Sequence, residues 1–216
     1  MKINFMGVPE FDEMKSIEKE YLEVTKEKKS ALFIVDMNNG FARKGALSSS
    51  RVEEIIPNIE NITEKFINSN HPVYAFTDSH NDDAIEFKEY PIHCVRGTEE
   101  SELVEELKKF KDEIRVIEKN STNGFLEHGV DEIINGLIED GCQEFVVVGC
   151  CTDICVCNFA MTLKCYLNKE NKSGKVIVPL EGVETFDAPY HSGDLMNMVA
   201  LKIMAQNGVT LVNKIL

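Results

Sequence analysis

A chain of 216 residues with 43% hydrophobic and 28% charged content is long enough to bury a sizeable core and too apolar to stay disordered. Its 23 Lys and Arg against 37 Asp and Glu give a formal net charge of -14, with no basic run to offset it, so neither nucleic acid nor an anionic membrane surface is an expected partner. No apolar run approaches the roughly 20 residues that span a bilayer, no export-type leader pattern opens the chain, and seven cysteines suit a reducing compartment, so a cytoplasmic protein is expected.

Phe11, Met14, Ile17, Tyr21 and Val24 fall on one stripe at helical spacing, which predicts an N-terminal helical extension within residues 1–29. The apolar run from Ala31 to Val35 follows as a strand. Val52, Ile55, Ile56, Ile59, Ile62 and Phe66 predict a second helix, after which Pro72 introduces a strand from Val73 to Thr77. Leu103, Val104, Leu107 and Phe110 form a further stripe before a strand from Ile114 to Ile117. Val130, Ile133, Ile134, Leu137 and Ile138 mark a helix stopped at Gly141, ahead of a strand from Phe145 to Val148. A helix from about Asp153 to Leu167 leads to the strand Val176 to Val178, and one from about Gly193 to Ala205 leads to a last strand from Val209 to Val212. Six near-continuously apolar strands joined by helix-length crossovers require a sheet covered on both faces. The expected fold is therefore α/β: one doubly wound domain over residues 1–216, with a six-stranded, mostly parallel sheet and helices on both sides.

Three predicted strands end on reactive side chains: Asp36, Lys119 and, just after the fourth strand, Cys155. In an open α/β sheet the crevice beyond the carboxyl ends of the strands is where ligands bind, so an acid, an amine and a thiol delivered there suit covalent catalysis. A thiol where a turn feeds a helix also gains from unpaired backbone N–H groups and the positive end of the dipole, which predicts a lowered pKa. Plainer readings exist for each: a turn-capping Asp36, a solvated Lys119 and a small buried Cys155. Asp78, His80 and His93 place one carboxylate and two imidazoles where three ligands could hold a metal, with positions left open for water and substrate. The cysteines crowded into Cys150 to Cys157 match no common metal-ligand spacing. His71 and His128 read as solvated turn residues, and His191 as a rim residue with no assigned role.

Three segments together carry a resemblance. Val35 to Phe41 reads V-D-M-N-N-G-F, Tyr90 to Thr98 reads Y-P-I-H-C-V-R-G-T, and Gly149 to Val156 reads G-C-C-T-D-I-C-V. They resemble the signatures V-D-x-Q-N-D-F, W-P-x-H-C-V-x-G-T and G-V-A-T-D-x-C-V of the isochorismatase-like cysteine hydrolases, most closely the nicotinamidase branch. The resemblance implies Cys155 as nucleophile, Asp36 as acid and base, and Lys119 as the cation beside them. It implies an oxyanion hole from the backbone N–H groups of Cys151 and Cys155, with a cis peptide before Cys151. Phe41 and Tyr90 take the places that wall the substrate ring. Asp78, His80 and His93 take those that bind one divalent metal, zinc before iron or manganese, which in that branch holds a pyridine nitrogen. The implied activity is hydrolysis of nicotinamide to nicotinate through a thioester, in NAD salvage, by a homo-oligomer. Asn38, Gly40 and Ser79 depart from the pattern. Another small amide, a ureide or a vinyl ether remains an alternative substrate, and a catalytically idle binding subunit the third reading.

Overall fold

The structure, a computed structural model, describes residues 20–216. In chain order its strands are β1 (Tyr21–Leu22), β2 (Ser30–Val35), β3 (Val73–Asp78), β4 (Ile114–Lys119), β5 (Glu144–Cys150), β6 (Lys175–Pro179), β7 (Val183–Glu184), β8 (Thr210–Val212) and β9 (Lys214–Ile215). The longer helices are α1 (Ile56–Asn68), α2 (Val130–Glu139), α3 (Cys157–Lys169) and α4 (Gly193–Gln206). Among the described residues no helix is long and apolar enough to cross a membrane.

The predicted strands pair in the order β4-β3-β2-β5-β6-β8, every pair parallel. Parallel strands carry helices on both faces, and β2 shows how its residues divide between them. Leu32 and Ile34 join Ile59, Ile62 and Phe66 of α1 in one core, while Ala31, Phe33 and Val35 join Ile134 of α2 and Phe159 and Leu163 of α3 in the other. Each Leu, Ile, Val and Phe among them contributes about 1.5–3 kcal/mol when fully buried, so the sheet is clamped from both sides. After β2 the chain steps outward to β3 and β4, then returns to lay β5 against the other edge of β2. The order therefore reverses between β2 and β5, and the crevice beyond their carboxyl ends is the switch point of the sheet.

The structure corrects three expectations. The sheet has seven strands rather than six, because β7 pairs with the very end of β5, Gly149 opposite Val183 and Cys150 opposite Glu184. Tyr21 is extended rather than helical: β1 pairs with β9, Tyr21 opposite Lys214, in a separate two-stranded sheet, and Val24 follows it outside any helix. That contact joins residues remote in sequence, which periodicity cannot register; Phe11, Met14 and Ile17 lie outside the described residues. The helix predicted over Val52 to Phe66 is broken at Ile55 into Ser50–Glu54 and α1, since Pro57 lacks an N–H and its ring would strike the carbonyl four residues back.

Gly149 lets the two central strands meet. It pairs with Val35 in the register, has φ of +120°, and would put a β-carbon 1.9 Å from the Val35 carbonyl oxygen. Gly149→Ala is expected to lower the unfolding free energy by about 3 kcal/mol or more, measured by urea titration, whereas a loss under about 1 kcal/mol would mean the junction yields.

Candidate active site

Strand register brings the charged groups together. Asp78 and Lys119 end β3 and β4 as direct partners, and Asp36 follows β2 with φ of 52°, a left-handed conformation unusual for a residue with a β-carbon. Asp36 Oδ1 accepts the backbone N–H of Asp78 at 3.0 Å. All three side chains are buried. Lys119 Nζ lies 2.8 Å from Asp36 Oδ2, contacts Asp78 Oδ1, donates to the Ser121 carbonyl at 2.9 Å, and reaches within 3.9 Å of Cys155 Sγ. Burial alone would strip its proton, but Asp36, Cys155 and Asp78 outweigh that and hold the ammonium well above its usual range. Burial would likewise raise Asp78, yet Lys119 and the two imidazoles hold its carboxyl below the usual carboxylate range. Asp36 goes the other way: burial and then the charge of Asp78 push it up to about 7, against the pull of Lys119.

The thiol comes from the turn after β5. The Cys150–Cys151 peptide is cis, and Thr152 to Val156 form a single π-helical turn before α3 begins. The Cys151 carbonyl accepts from Ile154 and Val156 N–H at 3.0 and 3.2 Å. Cys150 points inward, its thiol donating to the Asp36 carbonyl at 3.0 Å, whereas Cys151 and Cys155 line a cavity. The lowered pKa expected of Cys155 is reversed. Burial pushes it well above the usual range, and Asp36 and Asp78 add to this while Lys119 opposes them. The reason is desolvation, which at this depth exceeds what a helix end can supply. At neutral pH the site therefore holds a thiol beside a carboxylate near the midpoint of its own titration.

One end of the cavity is a ligand set. Asp78, His80, Glu86 and His93 each offer a ligand atom, all within 4.8 Å of one another. His80 Nδ1 faces Asn120 Oδ1 at 2.9 Å and His93 Nδ1 faces the Pro91 carbonyl at 2.8 Å, so each can donate there and leave Nε2 as a lone pair. Both Nε2 atoms lie 3.4 Å from Asp78 Oδ2, and that of His80 is buried with no hydrogen-bond partner. Two lone pairs and an anionic oxygen converging on one point, one of them otherwise orphaned, fit a divalent cation. Sequence reasoning missed Glu86, whose only signal was an acid between the two histidines in a segment with no periodic pattern.

The cavity, about 540 Å³, is lined by Phe41, Tyr90, His93, Ile154 and Phe186 among others. The Phe41 and Tyr90 rings approach His93 with centroids at 5.6 and 6.3 Å. His191, unassigned from sequence, pairs with Asp153 at 2.8 Å. His71 is buried rather than solvated, its Nε2 2.8 Å from the Thr25 carbonyl.

Comparison with known proteins agrees with this arrangement. The family model for the isochorismatase domain matches residues 30–211. Nicotinamidase 1 of Arabidopsis thaliana is 32% identical, the alignment covering 95% of this chain and 96% of the relative. The crystal structure of the nicotinamidase of Bacillus subtilis superposes with a TM-score of 0.71 at 26% identity over 85% of this chain and 99% of that one. The N-carbamoylsarcosine amidase of Thermoplasma acidophilum gives 0.69 at 26% identity over 85% and 95%. The chain belongs to the isochorismatase family of hydrolases. It is an amide-hydrolysing enzyme, and a nicotinamidase/pyrazinamidase of Bacillus subtilis, 26% identical, is among the solved structures it resembles.

The purified chain is expected to carry about one divalent ion, lost or weakened at least about 10-fold in Asp78→Ala and His93→Ala, the order lost when even an outer partner of a ligand is removed. Elemental analysis and competition with a chromophoric chelator measure this. Unchanged stoichiometry and affinity in both variants would put the ion elsewhere.

Proposed function

We propose that the enzyme hydrolyses nicotinamide to nicotinate and ammonia through a thioester on Cys155, the product feeding NAD salvage. The observation that carries this reading is Lys119 in contact with both Asp36 and Cys155, with Cys155 lining a cavity whose wall also holds Asp78, Glu86 and His93 of the ligand set that His80 completes. Asp36, as carboxylate, takes the proton of Cys155, and the thiolate attacks the carboxamide carbon. The backbone N–H groups of Cys151 and Cys155 hold the oxyanion, and Lys119 offsets the negative charge gathered there. Asp36 returns the proton to the nitrogen as the C–N bond breaks, releasing ammonia and leaving the thioester. It then deprotonates a water that releases the acid and restores the thiol. Phe41 and Tyr90 wall the ring. Asp78, His80 and His93, with Glu86, would hold the metal, for which zinc suits the donors best and iron or manganese share them. When bound it supplies a Lewis acid for the ring nitrogen. The same reading makes the enzyme a cytoplasmic homo-oligomer with one hydrolase domain, the residues before β2 forming an extension to it.

Cys155→Ala is expected to abolish ammonia release, while Cys150→Ala keeps folded protein with most of its activity. Benzamide lacks only the ring nitrogen and should fall at least about 10²-fold below nicotinamide in kcat/KM. Comparable values would overturn the nicotinamide assignment. Likeness to N-carbamoylsarcosine amidase favours a ureide as second reading, so the screen includes N-carbamoyl amino acids, and preference for one of these would replace the first reading.

The pH profile tests the base. Asp36 is raised to about 7 and must be ionised to act, so activity is present above that value and lost as pH falls through it. A decline of about tenfold in kcat/KM per pH unit is expected below the midpoint. A profile flat down to pH about 5 would show that no base raised to about 7 acts in the reaction, and so would exclude Asp36 in its raised state from that role.

A further inference from the structure

Between β7 and α4 the chain crosses the mouth of the cavity in residues 185–192, a strap outside any regular element. Phe186, Asp187, Ala188 and Tyr190 of this strap line the cavity beside Phe41 and Tyr90. Irregular backbone needs other partners, and the strap has them. Ala188 and His191 exchange backbone hydrogen bonds of 2.8 and 3.0 Å, and Asp187 Oδ1 accepts the Gly193 N–H at 2.8 Å. Arg51 donates to the Thr185 carbonyl at 3.2 Å and to Glu184 at 3.0 Å.

The remaining anchor reaches the nucleophile's own turn. Asp153, two residues before Cys155, accepts the Thr185 hydroxyl at 2.5 Å on one oxygen and faces His191 Nε2 at 2.8 Å with the other. His191 Nδ1 lies 3.0 Å from the Phe186 carbonyl, and its ring stacks on the Phe186 ring with centroids 3.8 Å apart and planes inclined by 10°. Asp153 and His191 take no part in the bond-making steps above. What they do is mechanical. A phenyl ring on a loop ordinarily loses rotamer freedom when a ligand fixes it; stacked on an imidazole set between the Asp153 carboxylate and the Phe186 carbonyl, it is fixed beforehand.

We propose that Phe186 is a specificity-determining wall for a flat, unsaturated amide, and that His191, tied to Asp153 on the Cys155 turn, is the positioning residue that holds it. The proposal rests on the nicotinamide reading for its substrate class. Because the wall and the nucleophile share Asp153, ring and reacting carbonyl are referenced to one rigid unit. Phe186 thereby rewards a planar ring and does nothing for a compact aliphatic amide.

The test is a double-substitution cycle with Phe186→Ala, His191→Ala and both together, assayed on nicotinamide and on propionamide. Each single variant is expected to lose about tenfold in kcat/KM for nicotinamide, mainly through KM, with propionamide changed less than about threefold. The double variant should lose no more than about threefold beyond the worse single one, because both changes remove the same wall. Phe186→Leu keeps the apolar volume and, should alanine prevent folding, is expected to show the same selective loss. Equal losses on both amides, or losses that multiply in the double variant, would overturn the assignment and leave Asp153 and His191 as a structural staple. Turnover of nicotinamide without selective loss in the variants removes the wall alone; turnover of aliphatic amides or ureides and of no aromatic amide removes the substrate reading with it.

Discussion

One buried ammonium shared by two buried carboxylates organises this molecule. Lys119 is 1% exposed and touches both Asp36 and Asp78. Breaking such a set by removing one partner leaves buried charge uncompensated, typically at a cost of about 3–5 kcal/mol. With one cation for two anions the acids cannot behave alike. Asp78, which also faces two imidazoles, stays ionised below the usual range, and its charge helps drive Asp36 up to about 7. The same contact thus makes one carboxylate a permanent anion for the ligand set and the other a group that exchanges protons near neutral pH.

The register of the sheet makes that contact reproducible. Asp78 and Lys119 meet because β3 and β4 pair residue for residue to their ends, and Asp36 joins them through the next strand. A slip of one residue would turn every side chain of a strand to the opposite face and scatter the charges. Gly149 allows β5 to run tight against β2 up to the turn that carries the thiols. There the turn sorts its cysteines, Cys150 bonded inward to the Asp36 carbonyl and Cys155 presented to the cavity. The thiol is thus no more acidic for its position, and on the proposed mechanism it is the carboxylate of Asp36 that makes it reactive.

Much of this was legible along the chain. Leu32 to Val35, Val73 to Thr77 and Phe145 to Val148 announced buried parallel strands because no charged residue interrupts them, and Asp36, Lys119 and Cys155 at or just after strand ends announced a crevice. The apolar stripe from Val52 to Phe66 predicts one helix, although Pro57 stands within it and breaks it. Tyr21 was misread because its partner, Lys214, is nearly the whole chain away. Glu86 carried no pattern, and Asp153 with His191 became a pair only when the strap folded back over the Cys155 turn.

By itself the sequence determined the strands, the crossovers and the side chains capable of the chemistry, since periodicity and residue type are local properties. Tertiary structure alone decided their electrical state. How far Cys155, Asp36 and Asp78 depart from their ordinary pKa values depends on burial and on charges brought within a few ångströms by strands remote in sequence. Neither quantity exists until the sheet has closed around Lys119.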